Sequence, residues 1–307
     1  MSESGERVTV SVEGRTVTLT NLDKVLYPAT GTTKGEVLAY LAAVAAELLG
    51  QLARRPVTRV RWPHGTGDAS FFEKNVPAGA PAWLERVTLD SPGSRSTTER
   101  VTYPLVRDLA GLTWLANLSA LELHVPQWRV DASGHPLAPD RLVVDLDPGA
   151  PAGLAECARV ALLARAALTA AGFGPLVPVT SGNKGLQLYA GLPSDGSRSR
   201  NDEGTRESAR VIAEELADAH PGLVVAAMAK RQRHGKVFFD WSQNTTAKTT
   251  ICPYSLRGKS RAAFVAAPRT WTEIEAGASG GTLRQLTPDQ VVARLSSHGD
   301  LMEALAP

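Results

Sequence analysis

Cysteine is nearly absent: Cys157 and Cys252 are the two in 307 residues. That count excludes a disulfide framework and a zinc site built from several thiolates. Long apolar runs are missing as well. No stretch of about 18 apolar residues occurs, so a membrane-spanning helix is not expected. The opening MSESGERVTVSVEG has neither the basic nor the apolar block of a signal peptide, which makes the cytoplasm the expected compartment. Neither sign of charge dominates, with 33 Lys and Arg against 31 Asp and Glu and a formal net charge of +2, so bulk charge says little about partners. No internal repeat and no long linker is visible. The balance of 43% hydrophobic and 21% charged residues is that of an ordinary globular chain with a sizeable core.

Charge is nevertheless clustered. Arg54, Arg55, Arg59 and Arg61 form one basic segment, Lys230, Arg231, Arg233 and Lys236 a second, and Arg257, Lys259 and Arg261 a third. Such clusters suit a nucleic-acid backbone, because phosphate contacts release condensed counterions. Solvated surface arginines give the same pattern.

Residues 7–20 alternate apolar and polar around Glu13-Gly14, as a small hairpin does. Thr33-Lys34-Gly35-Glu36 reads as a capping box ahead of the apolar run 37–49, with Gly50 as the stop. Short strands are expected at 57–62 and 71–72, and a helix over 111–123. A β-branched strand follows over 141–146, closed by Pro148-Gly149, then a helix over 154–171. Strands at 176–180 and 186–189 flank the turn Ser181-Gly182-Asn183-Lys184-Gly185. After a polar loop, 194–201, come a helix over 202–219, a strand over 236–240 and the segment 251–257. Mixed α+β with antiparallel strands is the expected class.

Three segments carry chemistry. In Val143-Val144-Asp145-Leu146-Asp147-Pro148-Gly149 the alternation of a strand puts Asp145 and Asp147 on one face, spaced to share divalent cations. The same string also reads as a helix start, with Asp147 as the cap and Pro148 at the first helical position. The two glycines of the 181–185 turn let backbone approach a ligand, and Ser181 and Lys184 supply a hydroxyl and a cation for phosphate oxygens; a plain glycine-rich hairpin has the same composition. The apolar strand Val237-Phe238-Phe239 ends in Asp240, a third carboxylate or a turn former. Downstream, Pro253-Tyr254-Ser255-Leu256 leads to Arg257. Two metals held by three carboxylates are what phosphoryl transfer from a nucleoside triphosphate needs.

The order Asp-Leu-Asp-Pro-Gly, Thr-Ser-Gly-x-Lys-Gly-Leu, Phe-Asp-Trp-Ser-Gln-Asn and Pro-Tyr-Ser-Leu-Arg resembles the catalytic motifs of the archaeo-eukaryotic primase superfamily. Specifically, it is similar to the polymerase domain of actinobacterial, mycobacterial-type ligase D. Leu19 to Pro28, Phe71-Phe72-Glu73-Lys74 and Leu123-His124-Val125-Pro126-Gln127-Trp128 extend the likeness from about residue 15 to Leu305. The resemblance implies a primase-type polymerase fold with antiparallel sheets around a central catalytic cleft. It implies one domain over 1–307, with an N-terminal DNA-end-binding module at about 1–60 and a catalytic core at about 61–307.

The resemblance further implies that Asp145, Asp147 and Asp240 hold two Mn²⁺ or Mg²⁺ ions. It puts Ser181, Lys184, Arg257 and His124 near the incoming triphosphate. Lys24 and Lys34 match lysines that hold a 5′-phosphate across a gap, Phe71 and Phe72 match aromatics that stack on bases, and Lys74 lies beside them on the DNA side. The implied activity is ribonucleotide-preferring gap filling in non-homologous end joining, beside Ku and a DNA ligase, on nucleoid DNA and away from membranes. One position departs from the family. Where a histidine is usual, this chain has Gln187, whose neutral amide donates a hydrogen bond but cannot become cationic. A DNA-end-binding scaffold of weak catalytic power is the alternative reading.

Overall fold

The computed structural model describes residues 7–90, 100–193 and 202–306. The expected polar loop 194–201 lies outside them. The chain forms two compact units. One comprises Met1–Val125, Ile251–Val265 and Thr287–Gly299; the other comprises Pro126–Thr250, Ala266–Leu286 and Asp300–Pro307. The boundary expected near residue 60 falls inside the first unit.

In the first unit, strands Arg7–Val12 and Arg15–Thr20 pair in antiparallel register through Glu13 and Gly14, both at positive φ as a two-residue hairpin turn demands. Thr33 caps the helix Lys34–Ala43, accepting from the Glu36 amide while Glu36 reaches back to the Thr33 amide. The single helix expected to end at Gly50 is instead two. The chain bends by 78° at Val44, and the second helix, Ala45–Leu52, carries Gly50 inside it. Burial decides this: Val44, Leu48 and Leu52 are fully buried, which outweighs the roughly 1 kcal/mol that a helical glycine costs. No single helix among the described residues is long and apolar enough to cross a membrane.

The helix expected over 111–123 stops early. It spans Leu109–Asn117, capped by Asp108, and after Ser119 at positive φ the chain runs on as the strand Ala120–Val125. Five of that strand's six residues are buried, so the alternation that marks a strand is lost and the apolar run reads equally as helix. It pairs antiparallel with Thr58–Arg61, which pairs antiparallel with Phe71–Glu73 at the sheet edge. Leu256–Arg257 pairs with Phe264 and Val265.

The second unit is built on a sheet in the order Val224–Val225, Val237–Asp240, Arg141–Pro148, Leu186–Gly191, Leu176–Ser181, followed by Phe264–Pro268, whose last three residues pair with Val179, Thr180 and Ser181. These pairings are antiparallel except that between Val224–Val225 and Val237–Asp240. Leu142, Val144, Leu146, Leu186, Leu188 and Phe239 turn to one face and pack on the helices Leu154–Ala170 and Asp202–Ala219, through Cys157, Ala161, Ala164, Ile212 and others. Each such side chain contributes roughly 1.5–3 kcal/mol when fully buried. The opposite face carries Asp145, Asp147, Asp240 and Gln187 together with Val143, Val179, Tyr189 and Phe238. The strand continues through Pro148, and the next helix begins only at Leu154 behind Gly153, so Asp147 is a strand residue and not a helix cap.

Candidate active site

Strand register gathers the carboxylates. Asp145 lies directly opposite Asp240 on one neighbouring strand and opposite Gln187 on the other, so all three side chains share a face. Asp147, two residues on, joins them, and all three carboxylates are partly exposed while Leu142, Val144 and Leu146 on the reverse face are fully buried. The turn after Asp240 is tied down by its own sequence. Asp240 Oδ1 accepts from the Ser242 amide at 3.0 Å and its hydroxyl at 2.6 Å, and Oδ2 accepts from Gln243 Nε2 at 2.7 Å. Asn244, 3% exposed, then binds both backbone groups of Val143 at 2.8 and 2.7 Å, continuing the ladder where the neighbouring strand has ended. Behind the strand, burial first, and then the charges of Asp147 and Asp145, push the Cys157 thiol well above its ordinary value.

The glycine turn packs against this strand. A Cβ on Gly185 would overlap the Leu146 carbonyl and stand 3.5 Å from Asp147 Oδ1, and Gly182 has a φ of +73°. The glycines thus serve close packing on the carboxylate strand. Ser181 Oγ accepts from the Gly185 amide at 3.2 Å and the Asn183 amide at 3.4 Å, which turns its own proton toward a further acceptor. Lys184 is exposed. Gln285, unremarked in the sequence, spans the turn: its Oε1 accepts from Gly182 N at 2.7 Å and its Nε2 donates to Gly185 O at 3.2 Å.

Gln187 is 4% exposed and held from behind. Its Oε1 accepts from the Tyr189 hydroxyl at 3.2 Å, so Nε2 is the donating end of the amide. The Arg141 guanidinium lies 4.8 Å over the Tyr189 ring and donates to Gln127 Oε1 at 2.6 Å, and Gln127 donates on to Thr250 at 2.7 Å. A neutral amide at this position is therefore part of a buried polar chain.

The first unit holds the other sequence-derived candidates. Lys34, 3% exposed, donates from Nζ to the Thr20 carbonyl at 2.6 Å and to Thr20 Oγ1 at 3.3 Å. Burial and then the neighbouring Lys24 lower its pKa to about 8. Phe71 and Phe72 are 50% and 60% exposed on an edge strand, where successive side chains face opposite ways; Lys74 follows, half-buried. The first basic segment is not a solvated track: Arg55 and Arg59 are 1% exposed, and Glu73 takes Arg59 at 2.7 Å and Arg61 at 2.8 Å. His124 and Arg257 meet at Glu122. The His124 Nε2 to Glu122 Oε2 distance is 2.9 Å, and Arg257 Nε stands 3.5 Å from Oε1.

Among the described residues, no three His, Cys, Asp or Glu side chains are already drawn together as a ready ligand set. The three carboxylates share a face, while Asp240 is engaged by Ser242 and Gln243. Their chemistry fits divalent cations: hard carboxylate oxygens on adjacent register positions of one sheet face.

The profile of the LigD primase-polymerase domain matches residues 33–302. The chain belongs to that family. It is a nucleotidyltransferase by class, and divalent-metal dependence goes with the class. Its relatives include the multifunctional non-homologous end joining DNA repair protein LigD of Mycobacterium tuberculosis H37Rv, 48% identical over 300 residues, which are 96% of this chain and 38% of that protein. The bifunctional non-homologous end joining protein LigD of Bacillus subtilis 168 is 34% identical over 280 residues, 91% of this chain and 42% of that protein. The chain thus spans well under half the length of these relatives. Among solved structures, the polymerase domain from M. tuberculosis ligase D in complex with DNA superposes with a TM-score of 0.86 at 47% identity, covering 95% of this chain and 99% of that one.

Proposed function

We propose that this domain is a gap-filling repair polymerase that adds ribonucleotides in preference to deoxyribonucleotides during non-homologous end joining. The observation that carries the reading is the register of Asp145 with Asp240, with Asp147 on the same face and the Ser181–Lys184 turn packed against the same strand. Asp145, Asp147 and Asp240 hold two Mn²⁺ or Mg²⁺ ions. These ions, when bound, make the primer 3′-hydroxyl easier to ionise and offset the charge that develops on the transferring α-phosphate. Ser181 donates its hydroxyl proton, and Lys184 its charge, to the triphosphate whose pyrophosphate leaves. Gln187 donates one neutral hydrogen bond where a histidine would offer a charged one. His124 and Arg257 are further nucleotide-binding residues.

Lys24 and Lys34 receive the 5′-phosphate on the far side of the gap, Phe71 and Phe72 stack on bases, and Lys74 meets the backbone. Residues 1–307 work as one functional domain, with the end-binding role concentrated near the N-terminus. Ku and a DNA ligase are its expected partners, in the cytoplasm at the nucleoid. Primer extension on gapped DNA with Mn²⁺ and ribonucleotides tests this: extension that disappears in Asp145→Ala supports the polymerase. Tight binding of gapped DNA with no extension by the unmodified protein would favour the end-binding scaffold instead.

A further inference from the structure

Glu122 has no role in the reading so far, yet its surroundings are unusual for a carboxylate. It is 1% exposed, on the strand Ala120–Val125, and a buried acid is tolerated only where its oxygens are fully engaged. They are. Oε2 meets His124 Nε2 at 2.9 Å. Oε1 accepts from the backbone amides of Gly258 and Lys259 at 3.0 and 3.2 Å, with Arg257 Nε 3.5 Å away. Burial alone would raise its pKa, but the His124 hydrogen bond, the charges of Arg257 and His124 and the Lys259 amide together hold it below the usual value. The group is therefore an anion at neutral pH.

The segment that brings Arg257 to it is itself pinned. Ser255 Oγ accepts from the Leu123 amide at 2.9 Å, and Tyr27 donates its hydroxyl to the Arg257 carbonyl at 3.2 Å. Gly258 allows no side chain, because a Cβ there would overlap the Trp62 ring. Every one of these contacts leads to the two residues assigned to the nucleotide.

We propose that Glu122 is a positioning residue for nucleotide binding: through Oε2 it fixes the ring of His124, and through Oε1 it fixes Arg257 and the 258–259 backbone. A carboxylate anion has no proton to give, so His124 must donate from Nε2, and Nδ1 becomes the ring atom that can meet a ligand. The same carboxylate sets the path of the Arg257 main chain by accepting the two amides that follow it. One buried charge thus orients a histidine and an arginine together, as a carboxylate behind a metal-bound or catalytic histidine does. This inference rests on the nucleotide role of His124 and Arg257 proposed above, and the test separates the two.

The measurement is steady-state ribonucleotide incorporation on gapped DNA by four proteins: unmodified, Glu122→Gln, His124→Asn, and the double variant. Loss of an orienting charged hydrogen bond is expected to raise the nucleotide KM about tenfold in Glu122→Gln, with a smaller change in kcat. Because Glu122 acts through His124, the double variant should be no worse than the poorer single one within about twofold. Multiplicative losses, or unmodified kinetics in Glu122→Gln, would overturn the proposal. Unmodified kinetics in His124→Asn would instead overturn the nucleotide role of His124. Should Glu122→Gln fail to fold, ¹⁵N spectra of the histidine rings in the unmodified protein decide, with the His124 signal assigned by its loss in His124→Asn. An Nε2-protonated ring supports the proposal, and an Nδ1-protonated neutral ring refutes it.

Discussion

Raising the pH from about 7 to about 9 is expected to erase most of the advantage that a 5′-phosphate gives gapped DNA in binding this protein. The reason lies in Lys34, whose pKa is lowered to about 8 by burial and by Lys24. Two of its three ammonium donors go to Thr20, which leaves one for a ligand. A bound phosphate dianion keeps the proton on this lysine, whereas the free protein loses it as the pH passes 8. Affinity must then fall as pH rises. At pH 9 roughly one free molecule in ten still carries the charge, so the affinity drops about tenfold from its low-pH value, or about 1.4 kcal/mol. The ligand does not titrate in this window, since a phosphate monoester has its second pKa near ~6. Nor does unfolding intervene: a lowered native pKa means that stability rises between about 8 and 10.5, where the unfolded chain binds more protons. The assay is fluorescence anisotropy with paired 5′-phosphate and 5′-hydroxyl gapped DNAs, whose ratio cancels the titration of groups that do not touch the 5′-phosphate. Lys34→Met should show a small and flat ratio. A ratio that stays constant from pH 7 to 9 in the unmodified protein would refute the reasoning.

Three further outcomes follow from the second unit. Asp145→Ala or Asp240→Ala should abolish primer extension while leaving the DNA Kd within about twofold, because transition-state stabilisation is lost and backbone contacts are not; retained extension would remove that residue from the metal site. Gln187→His should lower the nucleotide KM several-fold near pH ~6.5 with little change in turnover, by about 1 kcal/mol of charge assistance, and an unchanged KM would mean that position 187 does not reach the triphosphate. Gly185→Ala should destabilise the protein by about 1–3 kcal/mol in urea unfolding, as overpacking against the Leu146 carbonyl forces the turn to move; unmodified stability would show that the turn shifts freely.

What the residues announced was the elements with a clean period and the shared face of Asp145 and Asp147. The first hairpin, the 202–219 helix and the alternation that exposes Asp145 and Asp147 were all legible, because period and turn chemistry are local properties. The strand Ala120–Val125 was not, since burial on both faces removes the alternation that distinguishes it from a helix. The break at Val44 was hidden for a related reason, as the apolar run looks continuous whether or not the axis turns. The positioning groups were least legible. Gln285 reaches Gly182 across 103 residues, Asn244 reaches Val143 across 101, and Gly258 reaches Glu122 across 136. No spacing rule connects such pairs, because only the folded chain makes them neighbours.

Asp240 shows why those distant and local polar groups matter together. Three carboxylates on one face repel one another, and the repulsion is strongest before any cation is present. Asp145 and Asp147 are fixed by a strand paired on both sides, whereas Asp240 ends its strand and has no ladder beyond it. The three hydrogen bonds from Ser242 and Gln243 supply what the ladder does not, and Asn244 anchors that turn to the backbone of the carboxylate strand at Val143. Oδ1 accepts two of these bonds and Oδ2 one, so Oδ2 keeps a lone pair for a cation while the donors fix the orientation of the group. The string Phe-Asp-Trp-Ser-Gln-Asn is thus one carboxylate followed by the residues that hold it in place.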